Sequence, residues 1–254
     1  MFDLDGRSVI VTGGTKGIGR TLCEEFLRAG ARVLTCGRSE PGRLPSIDGR
    51  TPEFMTCDVR DVDQLDALVD RAESLWGRLD VLVNNAGGSP HVDAATASPR
   101  FSESIIRLNL LAPLNLAQRA NRTMQSQTDG GVIINIASVS GIRPSPGTAA
   151  YGAAKAGVLS LTQSLAVEWA PKVRVNAVTC GLIVTDQAEL HYGDADGVAA
   201  VAATVPLGRM GTPTDVADAC LFLASPHASY ISGASLLLHG GGERPSFLEA
   251  SNAG

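Results

Sequence analysis

The chain has 254 residues, 44% of them hydrophobic, and a formal net charge of -5. This is the composition of an ordinary soluble globular protein, with no basic excess to mark nucleic acid as a partner. No uninterrupted apolar segment approaches the roughly 18 residues that cross a bilayer, so the reading is one α/β domain over residues 1–254 with a large core and no membrane. The start, Met1-Phe2-Asp3-Leu4-Asp5, lacks a basic region followed by an apolar stretch and predicts no signal peptide and a cytoplasmic protein. Five scattered cysteines, Cys23, Cys36, Cys57, Cys180 and Cys220, have no C-x-x-C spacing and read as small buried residues in a reducing compartment.

Ser8-Val9-Ile10-Val11-Thr12 is a β-branched run that ends in Gly13-Gly14-Thr15-Lys16-Gly17-Ile18-Gly19, after which Leu22, Phe26 and Leu27 recur at helical spacing. Strand, glycine-rich turn and helix together offer close backbone approach and free N–H groups to a pyrophosphate. A second strand, Gly30 to Cys36, follows at the distance a strand-helix-strand unit requires, which makes dinucleotide binding the expectation. The spacing is G-x-x-x-G-x-G, and T-G-G-T-K-G-I-G resembles the glycine motif of the short-chain dehydrogenase/reductase family. In that family an acid at the tip of the second strand marks NAD preference. Here Gly37 and Arg38 stand there, and Lys16 lies in the loop. Two cations and no carboxylate favour NADP(H), with NAD(H) possible; the plain alternative is two solvated basic residues.

The resemblance extends along the chain. Residues 39–53, rich in Pro and Gly, predict an irregular connection. Phe54-Met55-Thr56-Cys57 reads as a third strand ending at Asp58-Val59, which the resemblance assigns to adenine; Asp58 could equally cap the next helix. Leu79 to Val83 is a fourth strand followed by Asn84-Asn85-Ala86-Gly87, and in the family Asn85, Ala86 and Gly87 close the floor of the adenosine site. Residues 88–100 read as a loop, with His91 at the surface. Asn109 interrupts an apolar helix, where an unpaired buried amide would cost roughly 1 to 3 kcal/mol. It either bonds locally and kinks the helix or, as the resemblance implies, holds a water in a proton relay. Val132 to Ala137 is a fifth strand with Ser138 at its carboxyl end, where the family places its catalytic serine; Ser140 is the competitor.

Tyr151-Gly152-Ala153-Ala154-Lys155 begins an apolar helical run, so Tyr151 and Lys155 share one helix face at i and i+4. Such pairs arise often by chance on solvated faces. As a proton-transfer pair, Tyr151 would need its pKa lowered from about 10 by roughly 2 to 3 units, about 3 to 4 kcal/mol, and the Lys155 charge is the expected source. Val173 to Val178 is a sixth strand, and the turn after it carries Cys180-Gly181 where the family usually has Pro-Gly. The resemblance puts Ile183 and Thr185 on the nicotinamide carboxamide and a substrate lid at residues 186–206. Asp194-Ala195-Asp196-Gly197 lacks the remaining ligands of a calcium loop, so no metal is expected. The last strand, Ala234 to Leu238, ends in His239-Gly240-Gly241-Gly242 where Asp-Gly-Gly is usual.

About seven strands alternate with helices, which predicts a doubly wound, mostly parallel Rossmann-type sheet. By resemblance to the family, and within it to 3-oxoacyl reductases, the expected protein is a homo-oligomeric oxidoreductase, a dimer or tetramer. It would pass hydride between NADP(H) and a carbonyl or secondary alcohol. Asn109, Ser138, Tyr151 and Lys155 are the expected catalytic residues, and Gly13, Thr15, Lys16, Gly17, Ile18, Gly19, Tyr151 and Lys155 the expected cofactor contacts beside those named above. The substrate is open among a 3-oxoacyl thioester, a steroid-like ketone and a small alcohol. The rival reading is a cofactor-binding redox sensor without turnover.

Overall fold

The computed structural model describes residues 2–186 and 192–243. β1 (Ser8–Thr12) is buried along its whole length, as a strand covered on both faces must be. Its alternation sorts the core: Val9 and Val11 join one hydrophobic cluster, Ile10 the other. β2 (Arg32–Gly37), β3 (Glu53–Thr56), β4 (Val81–Asn84), β5 (Gly131–Ser138), β6 (Val173–Cys180) and β7 (Ser235–Leu238) complete a seven-stranded sheet in the order β3-β2-β1-β4-β5-β6-β7. Every pairing is parallel. The strand order reverses direction between β1 and β4, and the crevice beyond their carboxyl ends is where an open α/β sheet receives a ligand.

Helices cover both faces. α1 (Gly17–Arg28) and the late helix Pro213–Ala224 pack Leu22, Phe26, Val216 and Cys220 on one side. On the other, α2 (Val62–Trp76), α4 (Ala112–Ser126) and the end of α5 (Ala149–Glu168) bring Leu65, Leu116 and Leu165 onto Ile10, Leu34 and Ile133. The late helix, α7, follows α6 (Ala195–Ala203) and starts with a reciprocal capping box between Thr212 and Asp215. Residues 38–52 are turns and irregular backbone, as their Pro and Gly content predicts.

Several expectations shift. The cap of α2 is Asp61, which accepts from the N–H groups of Asp63 and Gln64, and not Asp58. β6 runs on to Cys180, because its register with β5 continues to the pair Ser138 and Cys180. The helix carrying Asn109 is not continuous: α3 (Pro99–Ile106) passes into one π-helical turn, Arg107–Leu111, before α4. Within the stretch read as a lid, residues 187–191 lie outside the described residues; Asp194 caps α6 by accepting from the Gly197 N–H, 3.0 Å away. All five cysteines are buried and free.

Candidate active site

The crevice at the β1/β4 switch is tied together by Thr12. Its Oγ1 accepts from the backbone N–H groups of Asn85 (3.0 Å) and Ala86 (2.9 Å), while the Asn85 side chain donates to the Thr12 carbonyl (2.8 Å). The glycine turn is thereby fixed against the Asn-Asn-Ala-Gly segment. A Cβ on Gly19 would land on the carbonyl oxygen of Gly13, so any side chain there would spread the turn. Thr35 anchors the same loop from β2, accepting from the Gly14 N–H at 2.9 Å. Neither threonine was among the residues singled out from the sequence, and their only signal is a hydroxyl inside an otherwise apolar strand.

At the far end of this crevice, Lys16 precedes α1 and is exposed, as is Arg38 after β2. Asp58 follows β3, and its carboxylate accepts from Arg60 Nε at 2.9 Å while its backbone N–H donates to Gln64 Oε1 at 2.8 Å. The Arg60 hydrogen bond and the Arg38 charge hold that carboxyl below its ordinary range against the opposing effect of burial. Arg60 thus pairs with the Asp58 carboxylate at this end of the sheet. Val59 is buried next to it.

The four residues read as catalytic converge at the ends of β4 and β5. Asn109 is fully buried at the centre of the π turn. It accepts from the Gly88 N–H (2.8 Å) and donates to the carbonyls of Gly88 (2.9 Å) and Ile105 (3.0 Å). The local kink and the engagement with the crevice are therefore one arrangement: widening the helix by a residue turns the amide toward Gly88. Gly87 lies where a Cβ would meet Asn109 Oδ1 at 2.7 Å and Lys155 Nζ at 3.4 Å, which brings both groups close to it. Lys155 is buried and donates to the Ile136 carbonyl at 2.8 Å, with its ammonium 5.5 Å from the centre of the Tyr151 ring. Ser138 ends β5 and accepts from the Ser140 N–H at 3.2 Å, so Ser140 enters through its backbone.

Electrostatics here differ from the expectation. Burial pushes the Tyr151 phenol up from its ordinary value, and the hydrogen bond with Ser138 only partly offsets that rise. Burial also lowers Lys155 to about 8. Withdrawal from water thus dominates both groups, and the phenol keeps its proton at neutral pH. Cys180, where the family usually has proline, is pushed up to about 12 by burial, with Lys155 opposing the rise; it is a neutral thiol beside the pair.

Behind these groups runs a buried amide network: Asn84 donates to Asn135 (2.9 Å), and Asn135 donates to Thr162 Oγ1 (3.0 Å) on α5. It locks α5 to β4 and β5. Beyond the end of β6, Ile183 bridges to Gly211, and Thr185 approaches the spot a Gly17 Cβ would occupy (3.8 Å). His91 is exposed with its ring packed on Gly147, just before α5. Next to Ser138 and Cys180 opens a cavity of about 320 Å³ lined by Val139, Arg143, Gly181, Leu182, His239 and Glu243 among others.

The family described as Enoyl-(Acyl carrier protein) reductase matches residues 13–243. The chain is 37% identical to L-rhamnose 1-dehydrogenase (NAD(P)(+)) of Azotobacter vinelandii, covering 92% of this chain and 96% of that one. It is 36% identical to 3-oxoacyl-[acyl-carrier-protein] reductase FabG of Vibrio harveyi, over 94% and 98% of the two chains. The solved ligand-free aldohexose dehydrogenase AldT of Thermoplasma acidophilum superposes with a TM-score of 0.88 at 33% identity, over 95% of this chain and 96% of that one.

Proposed function

Because this chain belongs to the short-chain dehydrogenase/reductase family, we propose that it is an NADP(H)-dependent oxidoreductase acting on a carbonyl or secondary alcohol, with Tyr151 as general acid and base. One observation carries the reading. Ser138, Tyr151, Lys155 and Asn109 come from a strand end, a helix face and a π turn, and they meet at one mouth of the sheet. A sensor without turnover has no use for that convergence.

The turn suits a dinucleotide: a side chain on Gly19 would strike the Gly13 carbonyl, so glycine keeps the loop tight at the start of α1, where backbone N–H groups can face a pyrophosphate. Gly13 to Gly19 would hold the pyrophosphate, Asp58, Val59 and Asn85 to Gly87 the adenosine, and Ile183 and Thr185 the carboxamide. Lys16 and Arg38 would pair with a 2'-phosphate. The bound cofactor supplies or accepts the hydride. Ser138 fixes the substrate oxygen by a hydrogen bond where charge develops. Tyr151, protonated at neutral pH, gives that oxygen its proton in reduction and takes it back in oxidation. Lys155 holds its positive charge beside the phenolate that forms, and Asn109 positions the Gly88 backbone behind Lys155 and supports the return of the proton.

Homo-oligomer formation is part of the same reading, supported by Leu236 and Leu237 exposed on the edge strand β7 and Val167 exposed on α5. Titration with NADPH and NADH, followed by a panel of ketones and secondary alcohols read by nicotinamide absorbance, tests the proposal. Tighter NADPH binding with turnover is expected. Equal affinity for both cofactors sinks the NADP(H) preference, and binding without turnover across the panel favours the sensor.

A further inference from the structure

The cavity beside Ser138 and Cys180 begins one residue beyond each of them, with Val139 following Ser138 and Gly181 following Cys180. It adjoins the ends of the two strands that carry Ser138 and Cys180, where the part of a substrate away from the reacting carbon would lie. Its lining is mixed. Val139, Leu182 and Val205 supply apolar wall; Arg143, His239 and Glu243 supply charge and hydrogen-bonding capacity. Arg143 Nη2 donates to Glu243 Oε1 at 2.6 Å across 100 residues of sequence, and Arg143 Nη1 donates to the Pro144 carbonyl at 3.3 Å. The two side chains keep 38% and 43% of their surface accessible, enough to meet a ligand. The His239 ring packs against Gly242 at the same rim.

We propose that the Arg143–Glu243 pair, with His239, selects a neutral polyhydroxylated substrate, a sugar or polyol, for this active site. The inference rests on the hydride-transfer reading above and names its substrate class. The pair decides among three chemistries. A steroid-like or acyl ketone seated here would cover an ion pair with hydrocarbon and strip its water without replacement, which is costly. An anionic substrate would find Arg143 already neutralised and the Glu243 carboxylate facing it. Hydroxyl groups both donate and accept, so a polyol replaces the lost water on guanidinium, carboxylate and imidazole together, while its C–H faces rest on Val139 and Leu182.

The test uses the full chain with its preferred cofactor and a panel of neutral aldoses and polyols, the matching aldonic acids, cyclohexanol and a hydroxysteroid. The expected result is a kcat/KM for neutral polyhydroxylated compounds at least about tenfold above the other classes. Arg143→Met and Glu243→Gln are each expected to lower the polyol-to-cyclohexanol ratio of kcat/KM about tenfold, mainly through KM. Preference for cyclohexanol, the steroid or the acids, or a ratio that neither variant moves, overturns this inference alone. Silence with every class overturns the hydride-transfer reading and the inference with it. The unsubstituted protein's preference decides the question if a variant fails to fold.

Discussion

The Lys155 ammonium lies 5.5 Å from the centre of the Tyr151 ring, yet it donates its hydrogen bond to the carbonyl of Ile136, 2.8 Å away. Lys155 is thus held by the strand and not by the phenol. It stands ready to respond to charge on Tyr151 without consuming the phenol's hydrogen-bonding capacity. Tyr151→Phe is therefore expected to cut turnover by roughly 10²- to 10⁴-fold, the usual contribution of a positioned acid or base. NADPH affinity should stay within a few-fold of the parent, measured by nicotinamide fluorescence. Near-full activity in this variant would remove Tyr151 from the mechanism.

Lys155 also carries a stability cost with a definite pH signature. Its folded value of about 8 lies below the ordinary 10.5, so the unfolded chain binds its proton more tightly. Below pH 8 the cost is present in full, about 3 kcal/mol by the 1.4 kcal/mol per unit rule, and it fades as pH rises from 8 to 10.5. Lys155→Met removes the cost but leaves the Ile136 carbonyl without its partner, worth about 1 kcal/mol. The variant should be inactive yet more stable at pH 7 by on the order of 2 kcal/mol. That advantage over the parent should disappear by about pH 10.5, as followed by urea unfolding at several pH values. A variant less stable than the parent at pH 7 would show that the buried charge is better solvated than its surroundings imply.

Cofactor choice is expected to follow Arg38. Losing a charge-assisted contact to a 2'-phosphate costs about 1.5 to 3 kcal/mol, roughly 10- to 100-fold in affinity. Arg38→Glu should weaken NADPH by at least that factor and change NADH by only a few-fold. Equal losses for both cofactors would mean that Arg38 serves the loop and not the phosphate.

Much of the site was legible because its motifs are short and each sits at a strand end that apolar patterning marks. Gly13 to Gly19, Asn85 to Gly87, Ser138 and the Tyr151 to Lys155 pair all fall where a parallel sheet opens. The groups that hold them in place were not legible. Thr12 meets Asn85 and Asn84 meets Asn135 only through strand order, across 73 and 51 residues. The Tyr151 phenol was expected to be lowered by Lys155 and is instead raised, since a sequence shows which charges are near but not how far water is excluded. Asp58 and Asp61 are both plausible caps three residues apart, and the start of the helix at Val62 selects Asp61. Arg143 reads from the sequence only as a basic group that could face an acyl-carrier partner, because its pairing with Glu243, 100 residues on, depends on where the chain returns.

Asp80 provides a test of the frame itself. It precedes β4 and is almost fully buried, accepting from the Ser8 N–H at 2.9 Å, from Arg78 Nε at 2.9 Å and from Arg7 Nη1 at 2.9 Å. Burial alone would raise its pKa, but these partners together bring it below the ordinary value. A depressed folded value means that the stabilisation is complete above about pH 4 and lost as pH falls through the folded pKa. Asp80→Asn keeps the shape and part of the hydrogen bonding while leaving two half-exposed guanidinium groups without their anion. With solvent screening those cations, the expected loss at pH 7 is about 2 kcal/mol. As pH falls through the folded pKa the parent carboxyl is protonated as well, so the gap between the two unfolding curves should narrow in that acid range. A gap that stays constant throughout the acid titration would show that Asp80 acts through its shape and neutral hydrogen bonds, and that its charge contributes nothing to joining β1 to β4.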